Sequence, residues 1–213
     1  MLAFLSNIPA AKGVHLMNSL SEVTLPEFQS ALTPQNIRVF QIIQIAIGLG
    51  VVMFMGVVLF VYSSQTGSMN PAIMKDDYDL IKVLTLAHIM IAAGVYTIAR
   101  VVFNLLLGPS ALQSGVTKAM KDAQGRIIES PAEKILIMIR SAIIVRLAMI
   151  EAPALFGLII CLIATLNGTI RETPLIWMNM ITAWILIGFV ILTLPGKGRL
   201  EELFTSKMSG TPA

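Results

Sequence analysis

Charge is scarce in this chain of 213 residues, because Asp, Glu, Lys and Arg together make up only 13% of it. A typical soluble domain has about 25% charged residues. Hydrophobic residues make up 56% instead, and the mean hydropathy is +0.82. This balance excludes an ordinary water-soluble domain and predicts a membrane protein. The net charge of +3 is small, so we expect the lipid bilayer as a partner and no nucleic acid.

Cysteine and histidine are also rare. Cys161 is the single cysteine, and His15 and His88 are the two histidines. One cysteine forms neither an intramolecular disulfide nor a cysteine metal cluster. His88 has no second ligand near it in the sequence, so we expect a hydrogen-bonded core histidine. The chain also lacks the phosphate-binding, dinucleotide-binding and zinc-protease motifs. We therefore expect no catalytic residue, no cofactor, no metal site and no enzymatic activity.

One class of enzyme remains as a weaker hypothesis. An enzyme acting on a lipid or isoprenoid would need several Asp or His residues at one membrane interface. The run of Asp76, Asp77 and Asp79 is the candidate for such a group. A solvated loop explains this run more simply.

Four apolar segments are long enough to cross a membrane. A helix rises 1.5 Å per residue and needs about 20 apolar residues for the crossing. The sequence predicts spans at about residues 39–62, 83–107, 147–166 and 174–194. The predicted fold is all-α, an integral membrane four-helix bundle with up-down-up-down order. Residues 33–205 form one transmembrane domain in this prediction, and 1–32 and 206–213 are tails. Met17 is an alternative translation start to Met1.

Helix starts are marked by a hydroxyl residue followed by proline. Thr33-Pro34 precedes the first span, and Thr173-Pro174 precedes the fourth. Ser130-Pro131 with Glu133 forms a capping box well before the third apolar segment. The third helix is therefore predicted to begin near residue 131. Its first turns mix basic residues with isoleucines, which predicts an amphipathic lead-in at the membrane interface.

The distribution of basic residues predicts the orientation. Nine Lys and Arg residues fall on one side of the predicted spans, against three on the other. Segments rich in basic residues stay in the cytoplasm, so both termini are predicted to be cytoplasmic. The nine are Lys12, Arg38, Lys118, Lys121, Arg126, Lys134, Lys197, Arg199 and Lys207, and the three are Lys75, Lys82 and Arg171.

Glu151 lies inside the third predicted span, where a charged side chain is energetically unfavourable. A charged residue at the centre of a membrane helix costs roughly 2.5 to 3.5 kcal/mol on insertion scales. Counting residues from the span ends places Glu151 and Arg100 in the same leaflet. The first hypothesis is a buried ion pair between these two residues, with Gln41, Gln44 and Asn104 supplying hydrogen bonds. In the second, Glu151 carries a proton or cation, and in the third it reaches toward water without a close partner.

Small residues follow Glu151 at steps of three and four. Such a seam allows a neighbouring helix to approach closely. We predict helix packing along it, within this chain or with a second copy. The seam residues are Ala154, Gly157, Cys161, Ala164 and Gly168.

The segment Leu147-Ala-Met-Ile-Glu151-Ala-Pro-Ala-Leu-Phe156-Gly157-Leu158 resembles the outer helix of the rotor-ring c subunits of rotary ATP synthases. That resemblance implies that Glu151 binds the transported ion. The glycine-rich inner helix and the polar loop of that family are not present here, and Glu151 stands on the third span. Ion translocation is therefore the alternative function.

Residues 33–205 as a whole are similar to small bacterial membrane proteins with four predicted spans and no assigned activity. The similarity rests on Thr-Pro-Gln-Asn-Ile-Arg before the first span, on the spacing of Arg140, Arg146 and Glu151, and on Pro-Gly-Lys-Gly-Arg after the fourth span. It implies a protein of the bacterial inner membrane. Our first functional hypothesis is a non-enzymatic accessory subunit or homo-oligomer.

Overall fold

The computed structural model describes residues 23–65, 74–121, 125 and 127–208, and it describes residues 74–76 without their side chains. The predictions for residues 1–22, including the alternative start at Met17, and for residues 209–213 lie outside this part. The described part is mostly helical, which confirms the all-α prediction. Its α-helices are α1 (Leu25–Ala31), α2 (Pro34–Ser64), α3 (Met74–Leu106), α4 (Pro109–Thr117), α5 (Pro131–Leu166), α6 (Thr169–Glu172), α7 (Ile181–Leu192) and α8 (Lys197–Met208).

Three shorter elements complete the described part. The strands β1 (Met120–Lys121) and β2 (Ile127–Ile128) pair in an antiparallel hairpin. A 3-10 helix, Pro174–Met180, leads directly into α7. The sequence predicted a span at residues 174–194, and the structure makes its first seven residues 3-10 rather than α-helical.

Four of the helical segments are long and apolar enough to cross a membrane, which confirms the predicted number. They are Pro34–Ser64, Asp77–Leu106, Pro131–Leu166 and Pro174–Leu192. The first and third begin at the prolines that the sequence indicated, since proline is compatible with the first helical position. The up-down-up-down order of the four spans remains a prediction.

The chain divides into two compact units. Unit 1 is Met1–Arg38, Asn104–Ala142 and Pro195–Ala213, and unit 2 is Val39–Phe103 and Ile143–Leu194. The predicted division into one transmembrane domain at residues 33–205 and two tails remains a prediction. In the structure, short helices from distant parts of the chain form a core in unit 1.

In unit 1, helices α1 and α8 pack through two stacked aromatic rings. The ring centroids of Phe28 and Phe204 are 4.3 Å apart, and the ring planes differ by 9°. Phe28 is fully buried, and Phe204 is 5% exposed. Leu200, one turn before Phe204, is also buried, because residues four apart lie on the same helix face. The apolar face of the C-terminal helix α8 is therefore covered by protein.

Helix α4 and the first turns of α5 supply the rest of the unit 1 core. Ile135, Leu136 and Ile139 are at most 3% exposed. The Nζ atom of Lys134 donates a hydrogen bond to the carbonyl of Val116, in the last turn of α4, at 2.8 Å. A cation is favourable there because the carbonyls at a helix C-terminus carry partial negative charge. The amphipathic lead-in therefore packs on protein along one face, and its position at the membrane interface remains a prediction.

Unit 2 has an apolar core that is centred on α5 and α7. Leu158, Ile160 and Leu186 are fully buried in it. Large apolar side chains also cover much of its surface, and Phe60 and Met90 are about 70% exposed. A surface of this kind is typical of a protein in contact with lipid.

Candidate functional site

The structure does not bring Arg100 and Glu151 together. Arg100 is exposed, and Glu151 is half-buried on α5. Among the described residues the ion pair that forms is Asp79 with Lys82, at 3.7 Å, and no ion pair joins Arg100 to Glu151. The predicted buried pair is therefore absent from the structure. Residue counting gives the depth of a side chain along a helix, whereas a contact also depends on its direction around the helix axis.

Arg146 takes a position that the sequence did not predict. Its guanidinium carbon lies 4.9 Å from the centroid of the Phe103 ring and 4.8 Å from that of the Phe189 ring. The flat cation therefore stacks between aromatic side chains of α3 and α7. Its Nε atom is buried and has no hydrogen-bond partner in the described part of the chain. Arg100 is near enough to act on Arg146 as a like charge.

The three amide residues of the predicted cluster also have other positions. Gln44 is 1% exposed. Its Nε2 atom donates hydrogen bonds to the carbonyl of Val190 at 3.1 Å and to the hydroxyl of Thr193 at 2.7 Å, at the end of α7. Asn104 belongs to unit 1 and accepts a hydrogen bond from Lys207 at 3.1 Å. Gln41 is half-buried on α2. Gln44 therefore holds the end of a helix and does not serve Arg100 or Glu151.

The small-residue seam lies against the 3-10 helix of the same chain. Ala154, Cys161 and Ala164 are fully buried. A Cβ atom on Gly157 would overlap the carbonyl oxygen of Asn179 and lie 2.7 Å from Cε1 of His88. Gly168, the last seam residue, has a φ of 72° and starts the turn into α6. The described seam thus allows close approach within this chain.

The best-formed polar group in unit 2 is centred on His88, which is 3% exposed. Its Nδ1 atom lies 2.8 Å from Oδ1 of Asn179, and its Nε2 atom lies 3.0 Å from the carbonyl oxygen of Pro153. The hydroxyl of Thr182 lies 3.2 Å from Nε2. The ring of Phe156 meets the imidazole edge to face at 5.8 Å. Side chains from α3, α5, the 3-10 helix and α7 therefore meet at one buried histidine, as expected for a core histidine.

The amide of Asn179 has one orientation in this group. Its Nδ2 atom donates to the carbonyl of Ile176 at 2.9 Å and to the hydroxyl of Thr85 at 3.0 Å. A carbonyl oxygen only accepts hydrogen bonds, so the oxygen of the amide must face His88. The Nδ1 atom of His88 is therefore the donor in the contact with Asn179.

The other ring nitrogen of His88, Nε2, faces the carbonyl oxygen of Pro153 at 3.0 Å and the Thr182 hydroxyl at 3.2 Å. That hydroxyl also lies 3.2 Å from the carbonyl oxygens of Pro153 and Asn179, and it can donate to either of them. The His88 ring and the Thr182 hydroxyl therefore share backbone carbonyls of α5 and of the 3-10 helix.

A cavity of about 250 Å³ lies beside this group. Its rim carries exposed apolar side chains, whereas its wall includes the buried polar residues. The residues that line it are Thr85, His88, Ile89, Ala92, Met178, Asn179, Ile181 and Thr182. No cluster of three or more metal-binding side chains occurs in the described residues. This site is suited to joining helices through polar contacts.

Arg171 joins the end of α2 to the segment after α5. Its guanidinium donates hydrogen bonds to the carbonyls of Tyr62 and Gln65, and it lies 5.5 Å from the centroid of the Tyr62 ring. The Tyr62 ring meets the Trp177 ring edge to face at 5.2 Å. The cation satisfies carbonyls that a helix leaves unpaired at its C-terminus.

Sequence reasoning identified His88 as a hydrogen-bonded core residue and did not find its partners. Asn179 and Thr182 are polar residues three apart in the fourth apolar segment. Polar side chains inside a span usually face protein, and this spacing was the available signal for a polar face. The pairing with His88, 91 residues away in sequence, has no local signature.

Comparison with protein-family models, with curated proteins and with solved structures found no match for this chain. The structure itself defines the class as an all-α protein, with four helices in its described part that are long and apolar enough to cross a membrane.

Proposed function

We propose that this chain is a non-enzymatic multi-pass protein of the bacterial inner membrane that acts as a subunit of an oligomer or of a membrane complex, with both termini in the cytoplasm. The observation that supports this proposal is the environment of Glu151. The carboxylate stands half-exposed on an apolar helix, and the described residues supply no ion-pair partner for it. A charge in this setting is stabilised when a partner is supplied, and a neighbouring subunit can supply one.

The surface around Glu151 suits contact with another helix. Ala148 and Ala152 are exposed on either side of it, and Val145 and Ile159 continue the exposed face of α5. Small side chains let a second backbone approach closely. The buried seam beginning at Ala154 is occupied by this chain's own 3-10 helix, so the face with Glu151 is the one available to a partner.

Substitution of Glu151 tests the subunit role. We expect the wild-type protein in nanodiscs or mild detergent to have the mass of an oligomer, or to copurify with a partner, by native mass spectrometry. Glu151→Gln removes the charge and should weaken assembly roughly tenfold or more, the scale for losing one partner of a buried charge pair. Glu172→Gln is the matched control, because Glu172 is exposed on the short helix α6. A monomeric wild type, or assembly that Glu151→Gln leaves unchanged, would contradict the proposal.

Ion translocation through Glu151 is the second candidate, and the same unpaired carboxylate favours it. A carboxylate without a fixed cation can exchange a proton or bind a cation. In this case Glu151→Gln leaves the mass of the assembly unchanged and abolishes flux into liposomes, whereas Glu172→Gln keeps the flux. A wild-type protein without measurable proton or cation flux would exclude this candidate. Assembly and flux therefore separate the two functions.

The orientation has its own test. A reporter domain that is active only in the cytoplasm should be active when fused to either terminus. A reporter domain that is active only in the periplasm should be inactive at both. A periplasmic C-terminus would contradict the orientation that the basic residues predict.

A further inference from the structure

Two guanidinium groups in unit 2 have no anion. Arg100 and Arg146 stand on α3 and α5, inside segments long and apolar enough to cross a membrane. Neither forms an ion pair with an Asp or Glu in the described part of the chain. A guanidinium stays charged at any physiological pH. Arg100 stands one turn before Phe103 on α3, and the Phe103 ring contacts Arg146. Like charges repel, so an anion that contacts both arginines would offset that repulsion.

The contacts of Arg146 hold its guanidinium in place without neutralising it. The rings of Phe103 and Phe189 lie on the cation at 4.9 and 4.8 Å. The Nε atom is buried and has no hydrogen-bond partner among the described residues. Aromatic stacking fixes the orientation of the group, and no carboxylate in the described part of the chain forms an ion pair with it.

An exposed second cation completes the arrangement. Arg100 is exposed, so its guanidinium is accessible from outside unit 2. Two arginines that no described carboxylate neutralises suit a group with several negatively charged oxygens, and phosphate matches the planar fork of N–H donors of a guanidinium. A carboxylate would neutralise one cation, whereas a phosphate group has enough oxygens to contact both.

We infer that Arg146 and Arg100 form a binding site for a phosphate group. The rings of Phe103 and Phe189 hold the guanidinium of Arg146 in this site. A membrane offers such groups in its anionic lipids, and basic pockets between membrane helices bind lipid head groups. Free phosphate in solution has the same chemistry. The site does not involve Glu151, so it stands apart from the function proposed above.

Lipid retention tests this inference directly. The full-length protein is placed in nanodiscs that contain phosphatidylcholine and phosphatidylglycerol in equal amounts. Native mass spectrometry after release of the protein from the nanodiscs should show phosphatidylglycerol bound to the wild type. Arg146→Gln should lower its apparent affinity roughly tenfold, as expected for losing one charge-assisted contact. Arg38→Gln is the control, because it removes the same net charge at an exposed position outside unit 2.

A second set of measurements separates the two sources of phosphate. Inorganic phosphate is titrated into protein in phosphatidylcholine nanodiscs and followed by the line width of the phosphate ³¹P signal. Binding of phosphatidylglycerol alone assigns the site to a lipid head group, and broadening by the wild type but not by Arg146→Gln assigns it to free phosphate. Absence of both, or equal effects of Arg146→Gln and Arg38→Gln, would overturn the inference.

Arg100→Gln keeps the test valid if Arg146→Gln fails to fold. Arg100 is exposed, so its substitution leaves the packing of Phe103 and Phe189 intact. We expect Arg100→Gln to weaken phosphate binding by several fold with an unchanged melting temperature. Unaltered binding in this variant would contradict a site that uses both arginines.

Discussion

Unit 1 and unit 2 differ at their surfaces more than in their cores. Both bury aliphatic and aromatic side chains. Among the exposed large apolar side chains of the described residues, unit 1 contributes Leu25, Leu105, Leu106 and Ile127, and unit 2 contributes the others. Unit 2 also buries polar side chains, and those of His88 and Gln44 form hydrogen bonds between its helices.

This difference indicates whether the surface of each unit is suited to water or to lipid. The hydrophobic effect stabilises a core such as that of unit 1 when the surface faces water. Between helices in lipid that driving force is missing, and close packing and hydrogen bonds replace it. We therefore expect unit 1 to depend on large apolar side chains, and unit 2 on close backbone approach and on the His88 group.

Phe204→Ala gives the largest expected effect and tests unit 1. Removing a buried aromatic side chain should lower the free energy of unfolding of unit 1 by about 4 kcal/mol. Amide hydrogen exchange in α1 and α8 measures this loss. Thr205→Ala, at an exposed neighbouring position, is the control. Unchanged exchange in α1 would show that the stack of Phe28 and Phe204 does not hold unit 1.

His88→Ala tests unit 2. It leaves Oδ1 of Asn179 without its donor and opens a cavity, so we expect a loss of about 3 kcal/mol in the free energy of unfolding. Denaturation in detergent, followed by circular dichroism, measures it. His88→Gln keeps a donor and should recover part of the loss. Equal stability of His88→Ala and wild type would show that the polar group around His88 does not stabilise unit 2.

Gly157→Ala examines close packing in unit 2. The added Cβ overlaps the carbonyl of Asn179, so the helices must shift and we expect a loss of about 2 kcal/mol. Gly94→Ala is the matched control on α3, where a Cβ meets no atom within 4 Å. Alanine favours a helix over glycine by up to about 1 kcal/mol, so this control should be neutral or stabilising. Similar losses in both variants would contradict the packing argument.

Gln44→Leu has the smallest expected effect. It removes the hydrogen bonds to Val190 and Thr193, and it also removes the buried Oε1 atom, which has no partner among the described residues. Hydrogen bonds between membrane helices average about 0.6 kcal/mol, so the change should stay within about 1 kcal/mol. Thermal unfolding in nanodiscs measures it. A loss as large as that of His88→Ala would mean that single hydrogen bonds dominate unit 2.

The helices were predictable from the sequence because their signals are local. Thr33-Pro34 and Ser130-Pro131 mark helix starts that the structure reproduces at Pro34 and Pro131. Long apolar segments gave the four spans, since length and composition alone decide whether a helix can cross a membrane. His88 could be identified as a core residue because no further metal ligand stands near it in the sequence.

The contacts were not predictable because they depend on direction around the helix axis and on distant pairing. Glu151 and Arg100 have the same predicted depth in the membrane, yet they do not form an ion pair. Phe28 and Phe204 are 176 positions apart in numbering, and nothing local marks them as partners. The pairing of α1 with α8 was therefore missed, as was the packing of the α5 lead-in on α4.

The central claim is that the apolar surface of unit 2 lies in lipid. Its most direct test is labelling with a membrane-impermeant maleimide after Cys161→Ser removes the single native cysteine. Met90→Cys, at a side chain that is 70% exposed, should stay unlabelled in open membrane fragments, whereas Thr205→Cys in unit 1 is labelled rapidly. Labelling of Met90→Cys as fast as Thr205→Cys would place that surface in water and contradict the account.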